Sequence, residues 1–290
     1  MRAAAILGPG KIAKYVAQFQ KISGVEWDSD ISDSSLAAVI FGGDGTIHRQ
    51  LSTLANKKTP TLIVPCGSGN DFARALAMRK ISDSLEAWRK YVASGQNVRS
   101  IDLGTIRELN PALRQAEEVQ VPQEHHFCCV AGVGIDAEIA RKANALPSWL
   151  RAHGGYAALA SREIVEFAPF PVKMQVDGQQ DRFRPAILAA VANAPTYGGG
   201  MSIAPRAKLD DGLLDLCAVR SMNKFKLFCL FPTVYFGQHL GLKEVEYRQA
   251  ETVRVETESP MNVYADGEYV CQTPVEFSVA PAALRVITPG

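Results

Sequence analysis

Hydrophobic residues follow two different spacings along the chain. Up to about residue 95, apolar runs such as 3–7 and 61–64 alternate with segments whose apolar side chains recur every three or four positions. Beyond residue 96 apolar and polar positions mostly alternate. Because these spacings are typical of α/β units and of half-buried antiparallel strands respectively, the sequence predicts an N-terminal open α/β domain over 1–95 and a mostly antiparallel β domain over 96–280. The alternating segments are 98–107, 119–121, 127–133, 172–176, 186–191, 213–219, 253–255 and 261–264.

A glycine-rich loop follows the apolar run 37–41. Gly42, Gly43 and Gly45 surround Asp44, and apolar residues at helical spacing come next, which predicts strand, tight turn and helix. Such a turn lets the backbone approach a phosphate and directs the first amides of the helix at it. A carboxylate beside phosphate would repel it, so we interpret Asp44 as meeting the phosphates through Mg²⁺. The alternative is a glycine-rich turn with a surface aspartate.

A second glycine loop follows the apolar run 61–64. Residues 65–74 read PCGSGNDFAR, so Ser68 and Asn70 offer neutral hydrogen bonds and Asp71 adds a second acid. Both loops are predicted at the carboxyl ends of strands in one open parallel sheet, where ligands bind. We therefore expect the two loops to lie side by side and to form one site.

A third glycine-rich segment, near the N-terminus, supports an interpretation that competes with the phosphate site. Residues 8–13 match G-x-G-x-x-A, with Glu26 or Asp28 downstream, which is a weak fingerprint of a dinucleotide-binding dehydrogenase. No G-x-x-x-x-G-K-[ST] sequence occurs, so the glycine loops would have to hold phosphate without its lysine. Lys11 or Arg74 could supply positive charge, although Arg74 is better explained as a solvated helix residue.

Composition narrows the class of protein. The 290 residues are 47% apolar and carry a net charge of +1, so no overall field attracts nucleic acid or an anionic membrane, and any such contact must be local. The six cysteines show no zinc spacing, and the N-terminus resembles no signal peptide, which favours reduced cytoplasmic thiols. The most lipophilic run, 227–236, is interrupted by Pro232 and is too short to span a bilayer.

Four further features of the β domain have more than one interpretation. Glu268 follows an Asp-Gly turn and would begin a strand at a sheet rim, as either a catalytic base or a solvent-exposed turn acid. The apolar run 225–236 fits an acyl-chain groove, an interface patch or a buried helix. Residues 149–151, Trp-Leu-Arg, are a candidate for bilayer contact. The histidines at 125, 126 and 153 are better explained as core or surface residues than as metal ligands.

An ordered set of motifs resembles the diacylglycerol kinase catalytic-domain family of lipid kinases. The resemblance implies an α/β nucleotide-binding domain, a β-sandwich lipid-binding domain with the active site in a cleft between them, and a return of residues 281–290 to the first domain. It also implies transfer of the ATP γ-phosphoryl group to a lipid hydroxyl at the membrane surface. The motifs are GGDGT at 42–46, PCGSGNDFAR at 65–74, IDLG at 101–104, GVGIDA at 132–137, AN at 192–193 with GGG at 198–200, PRA at 205–207 with DDG at 210–212, and DGE at 266–268.

The same resemblance assigns roles to individual residues. Glu268 would be the general base, and Asp44, Asp71 and Asp102 would organise Mg²⁺ and water. Asp211, with the main-chain carbonyls of Lys208 and Leu213, would hold a structural Mg²⁺. The residues expected to contact the nucleotide are Gly42, Gly43, Asp44, Gly45, Thr46, Ile47, His48 and Ser68.

Some residues depart from the family pattern. The chain opens with Gly8-Pro9-Gly10, residues 24–38 are too short for a strand–helix unit seen in the family, and His48 and Cys128-Cys129 stand where asparagine is common. The alternatives are a NAD kinase, which shares GGDGT, and a non-catalytic lipid- or nucleotide-binding protein of the same fold. The sequence leaves the lipid open among diacylglycerol, monoacylglycerol, ceramide and sphingoid bases, and it leaves a homodimer open as an oligomeric state.

Overall fold

A computed structural model of the chain describes residues 2–10, 12–109, 124–146, 156–180 and 182–289. The chain divides into two compact units, one of residues 1–103 with 281–290 and one of residues 104–280. The sequence places the boundary at 95/96, whereas the division falls at 103/104. The difference arises because one strand, β5 (Val98–Glu108), begins in the first unit and continues into the second.

Unit 1 contains a parallel sheet. Its strands are β1 (Arg2–Leu7), β2 (Glu26–Asp28), β3 (Ala38–Gly42) and β4 (Thr61–Pro65), arranged in the order β4-β3-β1-β2. The end of the last strand, β16 (Val275–Ile287), pairs in parallel with β4 through Val286 and Thr61. Strand β3 is buried at every residue, which is why it reads as an unbroken apolar run.

Helices follow the strands of unit 1, as the spacing predicts. They are α1 (Ala13–Ser23), α2 (Asp44–His48), α3 (Leu51–Lys57), α4 (Asp71–Ala75) and α5 (Ile81–Ser94). The capping side chain of α5 is Asp83, in the first turn, whose carboxylate accepts from the N–H groups of Arg79 and Lys80 at 2.9 and 2.8 Å. Trp88 of α5 is fully buried, so this helix packs on the sheet as scaffold. Residues 24–38, which are too short for the family's extra strand–helix unit, contain the short strand β2.

Unit 2 is a mostly antiparallel β domain built around a central strand. Strand β10 (Arg184–Ala192) pairs antiparallel with β7 (Val130–Gly134), β8 (Phe170–Val176) and β11 (Leu214–Arg220). Its core is made of buried Val, Leu, Ala and Phe side chains from these strands and their neighbours. The other strands are β6 (His125–Phe127), β9 (Gln179–Gln180), β12 (Val245–Ala250), β13 (Thr252–Thr257), β14 (Asn262–Ala265) and β15 (Glu268–Gln272).

Helices of unit 2 cover part of this sheet. They are α6 (Ile135–Asn144), α7 (Tyr156–Glu166) and α8 (Lys224–Leu230), followed by two 3₁₀-helices, Phe231–Phe236 and Gln238–Gly241. The buried-helix interpretation of 225–236 is wrong for much of this run, because several of its aromatic side chains are exposed.

Two Asp-Gly turns join strands of unit 2 as predicted, one between β8 and β9 and one between β14 and β15. Both residues of each turn have positive φ, for example 51° at Asp266 and 86° at Gly267. This backbone matches the twist of a two-residue hairpin. No helix in the described part of the chain has the length and apolar character needed to cross a bilayer. Several predicted features lie outside the described residues: the candidate bilayer contact 149–151, Lys11, His153 and the predicted strand 119–121.

Candidate active site

Three loops meet at the carboxyl ends of β1, β3 and β4. The N–H of Gly8 donates to the carbonyl of Phe41 at 2.8 Å, which ties the first loop to the second. A Cβ added to Gly67 would lie 2.5 Å from Cα of Gly43, and one added to Gly43 would lie 2.9 Å from Cα of Gly67. Only glycine permits this backbone approach. The predicted meeting of the two glycine loops is confirmed, and it explains Gly43 and Gly67 by packing as well as by ligand access.

Asp44 joins the first glycine loop to the helix that opens from the second. Its two carboxylate oxygens accept hydrogen bonds from the N–H groups of Asp71 and Phe72, both at 3.2 Å. These amides belong to the first turn of α4, where intrahelical partners are missing and an acceptor is stabilising. Asp44 therefore has a structural role where the two loops meet, and the interpretation that it meets bound phosphate through Mg²⁺ stays a prediction. A role with Mg²⁺ would be additional to this structural one.

The second glycine loop is held by its own polar side chains. Asn70 adopts a left-handed backbone, with φ of 57°, and its amide bonds both the N–H and the carbonyl of Gly67, at 2.9 and 2.7 Å. Arg74 donates to Asp71 at 2.8 Å and to the carbonyl of Gly69 at 3.0 Å. Arg74 is thus not merely a solvated helix residue, because its guanidinium neutralises a buried acid and fixes the loop.

The residues predicted to contact a nucleotide differ in exposure. Thr46 and Ile47 are buried, at 6% and 1% exposure, and their N–H groups donate to the carbonyl of Gly43. Their side chains therefore belong to the core under the loop. Gly43, Asp44, Gly45 and His48 are half-buried and Ser68 is exposed, whereas Gly42 is buried against Thr46. The surface that a phosphate could reach therefore consists of backbone and the side chains of Asp44, His48 and Ser68.

Asp102, the third acid predicted in unit 1, holds the end of the chain. It lies on β5, is 5% exposed, and its carboxylate accepts from the N–H of Ala282 at 2.8 Å. Ala282 has φ of 50° and stands in the 281–290 segment that belongs to unit 1. Asp102 therefore anchors the returning segment.

Glu268 is the first residue of β15, as predicted, and its position depends on the turn before it. The carboxylate of Asp266 accepts from the N–H groups of Cys128, Cys129 and Val130 at 2.9, 2.8 and 3.3 Å. This fixes the β14–β15 turn to the loop between β6 and β7. The sequence signals only the turn itself. It gave no indication of the acceptor role of Asp266, because the three amides are far away along the chain.

The predicted structural cation site has oxygen donors and an additional acid. Asp211 accepts from the N–H of Leu213 at 3.2 Å, which curls the loop that also carries Lys208. Asp215 is fully buried. One of its oxygens accepts from Tyr247 at 2.6 Å, and the other is buried with no hydrogen-bond partner in the described chain. Burial, with a smaller contribution from the charge of Asp211, raises the pKa of Asp215. A set of carboxylate and carbonyl oxygens with one unsatisfied atom fits a hard cation such as Mg²⁺.

An apolar cavity of about 80 Å³ lies within unit 2. Its wall is mostly aliphatic and aromatic, and its polar members include Asp136 and His239. His239 is 3% exposed, and burial lowers its pKa, so the ring is neutral with Nε2 donating to the carbonyl of Ile203 at 3.0 Å. Full burial raises the pKa of Asp136 to about 7. The sequence identified Asp136 only as part of a motif.

Comparisons with known proteins identify the family. A family model described as the diacylglycerol kinase catalytic domain matches residues 15–106, and one described as the YegS C-terminal NAD kinase beta sandwich-like domain matches residues 129–288. A diacylglycerol kinase of Mycobacterium tuberculosis is 35% identical over 253 residues, 87% of this chain and 77% of that protein. The chain belongs to the diacylglycerol kinase catalytic-domain family. It is a lipid kinase, a phosphotransferase with an alcohol acceptor, and the dehydrogenase interpretation of residues 8–13 is wrong.

Other relatives agree on family and fold. A diacylglycerol kinase of Bacillus subtilis is 30% identical over 256 residues, covering 87% of this chain and 77% of that protein. The crystal structure of a Bacillus anthracis diacylglycerol kinase matches with a TM-score of 0.68 and 20% identity, over 99% of this chain and 96% of that one. An Archaeoglobus fulgidus NAD kinase in complex with ATP has a TM-score of 0.55 and 16% identity, over 100% and 94%. The last two comparisons confirm an N-terminal α/β domain and a C-terminal β-sandwich domain.

The buried acid of the cavity gives a prediction about pH. Because the pKa of Asp136 rises from 3.8 to about 7 on folding, the folded state keeps a proton between about pH 4 and 7 that the unfolded state has released. The free energy of unfolding should therefore fall by at most about 4 kcal/mol as pH rises through this window. Above the window it should level off. Asp136→Asn, which cannot ionise, should flatten this dependence in urea titrations at pH 5 and 8. Exposed Asp210→Asn is the matched control, and equal slopes in Asp136→Asn and parent would contradict the assignment.

Proposed function

We propose that this lipid kinase transfers the γ-phosphoryl group of ATP to the hydroxyl of a lipid alcohol, with diacylglycerol as the favoured substrate. The observation that carries the proposal is the pair of glycine loops in unit 1, brought into backbone contact at Gly43 and Gly67 and joined by the hydrogen bonds from Asp71 and Phe72 to Asp44. Relatives named diacylglycerol kinase support the choice of lipid.

The residues of unit 1 would hold the nucleotide. Main-chain groups of the first loop and Ser68 offer hydrogen bonds to phosphate oxygens, as glycine loops at strand ends commonly do. Asp44, Asp71 and Asp102 would hold Mg²⁺ directly or through water. When bound, that ion supplies positive charge which neutralises the phosphates during transfer. Arg74, already paired with Asp71, adds a fixed cation beside the second loop.

Glu268 would act as the general base. Its carboxylate accepts the proton of the lipid hydroxyl as that oxygen bonds to the γ-phosphorus. The bond from the γ-phosphorus to the β,γ-bridging oxygen breaks, and ADP leaves with those electrons. The rigid turn at Asp266 supports this role, because a base must be held within hydrogen-bond reach of the proton it takes.

The lipid tail needs an apolar surface, and the cavity of unit 2 offers one. Ile139, Ile164, Leu227 and Phe231 are among its lining residues, and such side chains suit hydrocarbon. We place the enzyme in the cytoplasm with peripheral contact to the inner face of the membrane, where its substrate resides. The lipid surface is its proposed partner; nucleic acid is not, and a homodimer is left open.

The test is incubation of the protein with γ-labelled ATP and Mg²⁺ against micellar diacylglycerol, monoacylglycerol, ceramide and sphingosine, with NAD as a further acceptor. Label in phosphatidic acid supports the proposal. Label only in another lipid would overturn the choice of diacylglycerol, and label only in NADP would overturn lipid phosphorylation itself.

The structural cation site gives its own prediction. Asp211→Ala removes the carboxylate that would help to bind Mg²⁺ near buried Asp215, so we expect a lower Tm and no gain in Tm from added Mg²⁺. The neighbouring Asp210→Ala, at an exposed position, should keep the gain. Differential scanning fluorimetry across a Mg²⁺ titration measures both. If Asp211→Ala melts like the parent with and without Mg²⁺, the site is absent.

A further inference from the structure

Exposed large hydrophobic side chains concentrate at one place in unit 2. Phe225 and Phe236 are each 77% exposed, Phe228 is 53% exposed and Tyr235 is 40% exposed. All four lie on α8 and the 3₁₀-helix that follows it, and we call them the aromatic patch. Val165, 58% exposed at the end of α7, is tied to the same helix because Lys224 donates to its carbonyl. A cluster of this kind on a soluble domain marks an interaction surface.

The elements that carry the aromatic patch also form part of the cavity wall. Leu227 of α8, with Phe231 and Val234 of the 3₁₀-helix, lines the apolar cavity, whereas Phe225, Phe228 and Phe236 point to solvent. One short segment thus presents apolar side chains on both faces. An apolar surface next to a hydrocarbon-lined cavity is well placed to contact a partner whose own surface is hydrocarbon.

The charged residues around the aromatic patch further limit the class of partner that it fits. Lys224 and Lys226 flank Phe225, and α8 contains no acidic residue. Lys226 is paired with Glu244 at 2.7 Å, and Lys243 lies beside that acid in sequence. Lysines next to exposed aromatic rings suit the phosphates and the acyl boundary of an anionic bilayer. Lys224 donates to a carbonyl and keeps its positive charge. In a two-fold interface with a second copy, the same patch would meet itself and bring the Lys224 charge of each copy into a desolvated contact.

We propose that the aromatic patch docks the enzyme on an anionic phospholipid bilayer, with Phe225, Phe228 and Phe236 inserted at the headgroup–acyl boundary and Lys224 facing lipid phosphates. The inference rests on the proposed function in one respect, since it assigns the membrane contact of a lipid kinase to a surface. The docked segment would then lie between the bilayer and the cavity that receives the lipid tail.

Vesicle co-sedimentation of the full chain, without nucleotide, tests the docking. The probes are vesicles of phosphatidylcholine with phosphatidylglycerol and vesicles of phosphatidylcholine alone. We expect Phe225→Ala/Phe228→Ala to weaken binding to the mixed vesicles about tenfold or more, because two aromatic side chains lose their apolar burial. Phe236→Ala should weaken it independently. Phe183→Ala is the matched control, since Phe183 is 46% exposed outside the patch.

The electrostatic contribution to bilayer docking is measured separately. Lys224→Gln should reduce the preference for mixed over phosphatidylcholine vesicles, and added salt should do the same to the parent. Parental binding by the double phenylalanine variant would overturn the proposal, as would a loss of self-association by that variant with vesicle binding unchanged, because the patch would then contact a second copy. Circular dichroism and Tm confirm that each variant is folded.

A kinetic comparison separates this inference from the proposed function. With a soluble short-chain diacylglycerol the double variant should keep parental kcat/KM, whereas with vesicle-embedded diacylglycerol its kcat/KM should fall by the same factor as its binding. An enzyme that phosphorylates no lipid yet loses vesicle binding in the variant would leave docking intact and refute the proposed function. An active parent whose double variant still works at parental rate on vesicles would refute docking alone.

Discussion

Replacement of Asp44 is expected to lower kcat by roughly 10²–10³-fold, the loss typical when one group that stabilises transition-state charge is removed. Asp44→Asn keeps the shape of the side chain and one hydrogen-bond acceptor for the amides of α4, but it removes the charge proposed to hold Mg²⁺. Asp44→Ala removes both. Measurement of kcat at saturating ATP and Mg²⁺, with lipid in mixed micelles, gives the result for each variant.

The structural role of Asp44 requires a control, because its carboxylate also caps α4. Loss of such a cap costs about 0.5–2 kcal/mol of stability. Asp83 also stabilises a helix start with its carboxylate, from the first turn of α5 back to the amides of Arg79 and Lys80, on a helix that we place in the scaffold. Asp83→Ala should therefore lower Tm by an amount similar to Asp44→Ala while leaving kcat near the parental value. Equal losses of kcat in both would show that Asp44 acts through folding alone.

The site in unit 1 could be predicted from the sequence because its signals are local. Glycines at 42, 43 and 67 stand directly after apolar runs, and parallel strands bring their carboxyl ends to one edge of a sheet. The pairing of β3 with β4 aligns Gly42 with Pro65, so the loops after these strands must be neighbours. The sequence locates Asp44 in this loop but does not predict its structural role, since its hydrogen-bond partners lie 27 and 28 residues further along the chain.

What the sequence could not predict depends on contacts distant in the chain. In the sequence, Asp215 is one polar position in an alternating strand. Its burial, with an unsatisfied oxygen beside Asp211, arises only when β11 and β12 pair.

The exposure of the run 225–236 could not be predicted either, because the run is apolar enough for a core helix. The structure exposes half of it because its inner face alone, at Leu227 and Phe231, completes the cavity wall. Hydrophobicity gives the amount of apolar surface, and tertiary packing decides which face is covered.

Replacement of Glu268 by Gln is expected to lower kcat by about 10²–10⁴-fold, the usual range for loss of a general base. The substitution keeps the size of the side chain and its hydrogen bonds while removing basicity. Glu268 contributes to proton removal and little to ground-state binding, so the affinity for ATP should stay near the parental value. The rigid turn at Asp266 and Gly267 should be unaffected, because its bonds to the amides of Cys128 and Cys129 do not involve Glu268.

Glu276→Gln provides the matched control for this last substitution. Glu276 is a partly buried strand glutamate of the same unit, paired with Arg107, so its loss of charge tests what removal of any such acid does to the fold. We expect it to change Tm more than kcat, the reverse of Glu268→Gln. If Glu268→Gln retains parental kcat, Glu268 is not the base, and Asp71 and Asp102 become the candidates. Asp102 would then be the first to test. Its carboxylate accepts from a neutral amide, that of Ala282, whereas the carboxylate of Asp71 is paired with the positive charge of Arg74, which makes it a weaker base.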